Sequence, residues 1–195
     1  MDIIIHRVNT INELKKIPTE YGVEIDVRDY QGNLILQHDP FKDGELFESY
    51  LKLYNNRILI INIKSERIEY AVLELLKKYH IKNYFFLDSS FPMIFSLLTQ
   101  SERNIAIRYS EYESIETVVN MKNMVSWVWV DCFTCLPLNN EIYKRLKETK
   151  LKLCLVSPDL LNRAEDINKY KEYLERNDMP FDAVCTKVYN VKKWL

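Results

Sequence analysis

The chain has 195 residues, 27 Lys+Arg against 28 Asp+Glu for a formal charge of −1, and 47% hydrophobic residues, an ordinary globular composition at a length that favours one domain spanning 1–195. Interspersed charges of both signs argue against the basic footprint of a nucleic-acid binder. Only three glycines occur, Gly22, Gly32 and Gly44, so neither a P-loop nor a GxGxxG dinucleotide fingerprint can be built.

In chain order, apolar β-branched or aromatic runs fall at 3–5, 22–27, 58–63, 84–87, 105–107, 127–130, 151–156 and 183–185. Each is short and bounded by polar segments, which reads as a buried strand. Stretches with apolar residues at three- and four-residue spacing separate them. One such stripe is Ile68, Val72, Leu75, Leu76 and Tyr79, in a helix expected over 66–79; another is Ile142 and Leu146, with Lys144 and Glu148 on the wet side. Eight strands alternating with helices imply parallel pairing with right-handed crossovers. The expected fold is α/β, a compact (β/α)8 TIM-type barrel stripped below the usual ~250 residues. Only residues 189–195 follow the last strand, so the last helix is expected to be reduced or missing, with Trp194 and Leu195 available to cap the exposed end.

No apolar run approaches the ~18 residues of a membrane span, and the run 3–5 ends at His6 without a cleavage pattern; a cytoplasmic protein is expected. Cys132 and Cys135 form a CxxC, with Cys154 and Cys185 elsewhere. Without a thioredoxin-like context or a converging four-cysteine set, they read as inert thiols. His80, at the end of the helix over 66–79, reads as a structural histidine at a helix C-terminus. Trp127 and Trp129 read as core, with Asp131 and Glu111 as minor pocket candidates, and Lys192 to Trp194 as a solvated tail.

In a parallel barrel the C-terminal strand ends form the active site, and polar residues collect there. The first strand runs into His6 and Arg7. The second reads Val23-Glu24-Ile25-Asp26-Val27, whose period of two places both carboxylates on one face. Two buried like charges cost several kcal/mol unless compensated, so Glu24 and Asp26 call for a metal ion or for partners such as Arg7, Arg28 or Lys64. The third strand ends Asn62-Ile63-Lys64. Between the second and third lies a Gln31-Gly32 turn, then Leu34 to Leu36 and His38-Asp39-Pro40, an excursion expected to return a second histidine to the same end. Two histidines and two carboxylates together supply a general acid, a general base and a cation site.

His6-Arg7, then Gly22-Val23-Glu24-Ile25-Asp26-Val27, then Gly32 through His38-Asp39, then Asn62-Ile63-Lys64 resemble, in that order, the glycerophosphodiester phosphodiesterase family. Ser89-Ser90-Phe91 and Asp182 through Thr186 extend the likeness weakly. The resemblance implies a (β/α)8 barrel, His6 and His38 as the acid/base pair, and Arg7 and Lys64 on the phosphoryl oxygens. It further implies Glu24 and Asp26 as ligands of a divalent cation, Mg or Ca.

The departures are specific. The third metal carboxylate of the family is Asn62, which implies weak cation binding because ligand charge sets affinity. The glycine after the His-Arg pair is Val8, and a Pro-Glu-Asn-Thr segment survives as Asn9-Thr10. The Thr-Asp near the end is Thr186-Lys187, and the tryptophan of the seventh strand is absent. Only about 20 residues separate His38 from the third strand, where the family carries a longer insertion. The expected function is hydrolysis of a small phosphodiester, with homo-oligomer formation left open. The alternatives are an impaired barrel that binds a phosphorylated ligand or a partner, and a metal-independent lyase that forms a cyclic phosphate.

Overall fold

The computed structural model describes residues 1–195. Contacts divide the chain into two compact units, one of residues 7–102 and one of residues 1–6 with 103–195. The chain opens with β1 (Asp2–Ile5). The unit of 7–102 then runs α1 (Ile11–Leu14), β2 (Gly22–Tyr30), β3 (Asn33–Leu36), β4 (Glu45–Leu46), α2 (Phe47–Leu51), β5 (Leu59–Ile63), α3 (Glu69–Lys78), β6 (Tyr84–Leu87) and α4 (Phe91–Thr99). After it come β7 (Ala106–Tyr109), α5 (Ile115–Met121), β8 (Trp127–Val130), α6 (Asn140–Glu148), β9 (Lys152–Val156), α7 (Ile167–Arg176), β10 (Ala183–Thr186) and α8 (Val191–Trp194).

All eight expected strands form. In the unit of 7–102, β2, β5 and β6 pair in parallel, with Asp26 opposite Asn62 and Asn62 opposite Leu87. In the other unit, β1, β10, β9, β8 and β7 pair in parallel in that order. Their side chains are almost uniformly buried, as expected of parallel strands covered on both faces, which is why they read as continuous apolar runs. No helix is long and apolar enough to cross a membrane.

The excursion after β2 is a hairpin. Gln31 and Gly32 both have positive φ, +48° and +79°, the pairing that a two-residue type I′ turn demands. The chain then returns antiparallel, with Val27 opposite Leu36, and β4 adds a short third strand. Gly44 lets β4 approach, since a Cβ there would collide with the Leu36 carbonyl.

Helix ends follow local chemistry. Thr10 and Glu13 form a reciprocal capping box at α1, while Ser114 and Asn139 cap α5 and α6. The helix expected from 66 begins only at Glu69, because Arg67 sits at φ +66°, outside helical space. At its other end His80 takes φ +57° and the Ile81 amide returns to the Leu76 carbonyl at 2.9 Å, a Schellman closure; His80 is thus structural, as the terminator rather than a dipole partner. The last helix is one turn long. Trp194 is buried with its indole N–H on Ser157 Oγ at 2.9 Å, whereas Leu195 is exposed and caps nothing.

Candidate functional site

The β2 carboxylates are buried together. Glu24 and Asp26 are each 1% exposed. Glu24 Oε1 accepts from Asn62 Nδ2 at 2.9 Å and Oε2 from the Arg7 amide at 2.7 Å. Burial, and then the charge of Asp26, push the Glu24 carboxyl up to about 7 against the pull of those donors. Asp26 is compensated differently, by cations. Arg7 Nε lies 3.5 Å from Oδ2 and Lys64 Nζ 3.5 Å from Oδ1, with Lys64 also 3.7 Å from Asp88 Oδ2. Arg28, the other candidate partner, instead donates to the Lys64 carbonyl at 3.1 Å.

Asn62 both braces the site and leaves an atom unspent. Its Nδ2 holds Glu24, while its Oδ1 is buried without a hydrogen-bond partner. Such an orphan costs about 1–3 kcal/mol, which a water molecule or a ligand in the site would recover. No set of three His, Cys, Asp or Glu side chains converges as a metal cluster, so a cation here would draw on Glu24, Asp26 and the Asn62 amide oxygen. These hard oxygen donors fit Mg²⁺ or Ca²⁺ and fit no soft metal.

Residues 7–9 line the same carboxylates. Arg7 takes φ +56°, where the backbone turns its amide onto Glu24. Val8 N–H donates to the Glu24 carbonyl at 2.8 Å, and the Asn9 side chain bonds both the amide and the carboxylate of Asp26. Nothing in the sequence assigned Asn9 a contact, since a polar loop residue has no periodicity. Its only signal was the surviving Asn9-Thr10 pair.

His38 follows β3, and its Nδ1 lies 2.9 Å from Asp39 Oδ1. Hydrogen bonds from Lys42 (2.7 Å) and then His38 hold the Asp39 carboxyl down to about 2. Asp39 therefore stays an anion that orients the ring through Nδ1. No hydrogen bond or ion pair joins His38 to the Glu24–Asp26 cluster. His6 belongs to the other unit, at the end of β1, where its amide donates to the Thr186 carbonyl at 2.9 Å.

That unit carries charge at its own strand ends. Arg108 on β7 pairs with Asp131 just beyond β8, reaches to 3.8 Å from Glu113, and lies over the Phe133 ring. Glu111 accepts from the Phe133 and Cys135 amides and from Thr134, which fixes the loop after β8. The apolar run expected at 105–107 stopped one residue short of Arg108, so the rule that singled out Glu24 and Asp26, a charge inside an apolar strand, passed over it. Cys132, Cys154 and Cys185 are buried and Cys135 is exposed, and burial pushes the Cys132 thiol up to about 12, leaving that thiol protonated and unreactive.

Among solved structures, the fold is similar to a glycerophosphodiester phosphodiesterase from Agrobacterium tumefaciens str. C58, with TM-score 0.66 and 13% identity over 94% of this chain and 95% of that one. It is likewise similar to a glycerophosphoryl diester phosphodiesterase from Parabacteroides distasonis ATCC 8503, with TM-score 0.68 and 13% identity over 98% of this chain and 85% of that one. The sequence matches no protein-family model and no curated protein. The alternation of parallel strands and helices expected from the sequence is thus shared with these proteins over 94–98% of this chain.

Proposed function

We propose that this chain, sharing the fold of two glycerophosphodiester phosphodiesterases, is a phosphoric diester hydrolase acting on a small phosphodiester. One observation carries the reading. Two buried carboxylates share a site with two cationic side chains and with an amide oxygen, Asn62 Oδ1, that no protein group engages.

In this reading Arg7 and Lys64 hold the phosphoryl oxygens, and both already face inward on Asp26. Glu24, Asp26 and Asn62 hold a divalent cation, Mg or Ca, weakly because they bring two carboxylates rather than three. When bound, the cation supplies further neutralisation of charge that develops on the phosphoryl oxygens. His6 and His38 are the acid/base pair. His38 moves its proton at Nε2 while Asp39 holds Nδ1, and the second histidine acts in the complementary protonation state on the attacking or leaving oxygen.

A second reading has its own support. Arg7 and Lys64 already compensate Asp26, and burial makes Glu24 hold its proton more readily than an ordinary carboxyl, so the site can stand without a metal ion. That favours attack by a neighbouring hydroxyl of the substrate, giving a cyclic phosphate. Phosphorus NMR on a phosphodiester panel, with added Mg²⁺ or Ca²⁺ and with chelator, separates the readings. Monoester formation that needs the cation supports hydrolysis, cyclic product in chelator supports the second reading, and no turnover of any diester removes both.

A further inference from the structure

We propose that Asn9 is a positioning residue of this site, acting through Asp26; the proposal rests on the phosphodiesterase reading above. Asn9 lies between Arg7 and the Thr10 cap of α1. Its carboxamide meets one residue twice: Nδ2 donates to Asp26 Oδ2 and Oδ1 accepts from the Asp26 amide, each at 2.8 Å. A planar amide alone among small side chains offers a donor and an acceptor in that spacing. The ring so formed ties the Asp26 carboxylate to its own main chain, which fixes its torsion.

The location explains why a side chain is used. On one edge of β2, Val8 N–H bonds the Glu24 carbonyl, the hairpin pairing begins at Val27, and the Gln37 amide takes the Asp26 carbonyl at 3.0 Å. The Asp26 N–H falls in the gap between these partners, and Asn9 Oδ1 supplies the missing acceptor. The same group then sets which carboxylate oxygen meets which cation. With Oδ2 held by Asn9, Arg7 reaches that oxygen through Nε and Lys64 faces Oδ1, both at 3.5 Å. At that separation neither cation is locked into a short ion pair. Without the Asn9 donor the carboxylate is free to turn into the two-pronged pairing that guanidinium and carboxylate prefer, drawing Arg7 away from a phosphoryl oxygen.

The loss is therefore expected in turnover more than in substrate binding. Asn9→Asp keeps an acceptor for the Asp26 amide but replaces the donor to Oδ2 with a second negative charge, whereas Asn9→Ala removes both bonds without adding charge. Supporting groups behind a site residue are worth about 10- to 100-fold. In each variant kcat should fall by that factor with KM changed less than about threefold, and the Asp26 carboxylate should be rotated toward Arg7 in a crystal structure of Asn9→Ala. A purely structural Asn9 would instead leave kcat intact in the folded Asn9→Asp chain and Asp26 unmoved. Wild-type kcat in either folded variant overturns the assignment alone. If Asn9→Ala does not fold, Asn9→Asp decides. Absence of turnover by the wild-type chain is a different result, which removes the phosphodiesterase reading and this assignment with it.

Discussion

Glu24 and Asp159 are both buried carboxylates near strand ends, one in each unit, and the protein treats them in opposite ways. Asp159, in the 3-10 turn after β9, is 2% exposed and receives Thr186 Oγ1, the Lys187 amide at 3.1 Å and Asn190 Nδ2 at 2.8 Å. It ties β10 and the chain leading to α8 back to the turn. Glu24 is buried as deeply but faces a second carboxylate, and burial and that neighbouring charge raise its proton affinity. A carboxylate that closes its own hydrogen bonds serves the fold, whereas in the proposed reading the one left in conflict serves a ligand.

The largest effects should separate these roles by what they damage. His38→Ala and His6→Ala should each lower kcat by about 10²- to 10⁴-fold, with thermal unfolding near that of the parent, since both side chains are partly exposed. Full turnover in either folded variant removes that histidine from the acid/base pair. Asp159→Ala should do the reverse. Stranding the buried Thr186 and Asn190 donors should cost about 3 kcal/mol of stability, read by urea unfolding, while phosphodiester turnover of the folded fraction stays at the parent level.

The pH dependence of stability sharpens the contrast. Folded Glu24 keeps its proton up to about pH 7, while the ordinary carboxyl of the unfolded chain releases it near 4.5. Between those values the folded state binds more protons. Its stability therefore falls as pH rises from about 4.5 to 7, by up to about 3 kcal/mol, and levels off above. In chelator, urea midpoints should follow that slope, and Glu24→Gln should flatten it and be the more stable chain at pH 8. A parent stability that climbs between pH 5 and 7, with Glu24→Gln climbing in parallel, would contradict the assignment.

What was legible in the sequence follows from the range of each interaction. The strands could be read because burial on both faces leaves a local trace, an unbroken apolar run such as Trp127 to Val130. Glu24 and Asp26 stood out as exceptions to that trace. The start of α3 could not be read, because the left-handed turn at Arg67 shows in no pattern of apolar spacing. Asn9 was silent because its partner lies 17 residues away, and so were the contacts that bring the Arg7 amide and Asn62 Nδ2 onto Glu24. The family likeness marked Asn62 only as a weakened cation ligand. Its two side-chain atoms divide the roles, with Nδ2 bracing Glu24 and Oδ1 unpartnered.

That division makes Asn62→Glu the finest test of the contrast. A carboxylate at 62 takes away the Nδ2 donor to Glu24 and places a third negative charge opposite Asp26. Without a cation the change should destabilise the chain, because Glu24 loses a donor and gains a repulsion. With a cation, the added ligand charge should tighten Mg²⁺ or Ca²⁺ binding, by about tenfold given how strongly ligand charge count tunes such sites. Calorimetry in the parent should therefore show weak binding, and Asn62→Glu should show tighter binding together with a larger rise in unfolding temperature on adding the cation. The two measurements are linked, since a ligand that binds only the folded chain stabilises it in proportion to the logarithm of its occupancy. Heat of binding in neither chain, with Asn62→Glu merely less stable, would place the site with the metal-independent reading and leave Arg7 and Lys64 as its only source of positive charge.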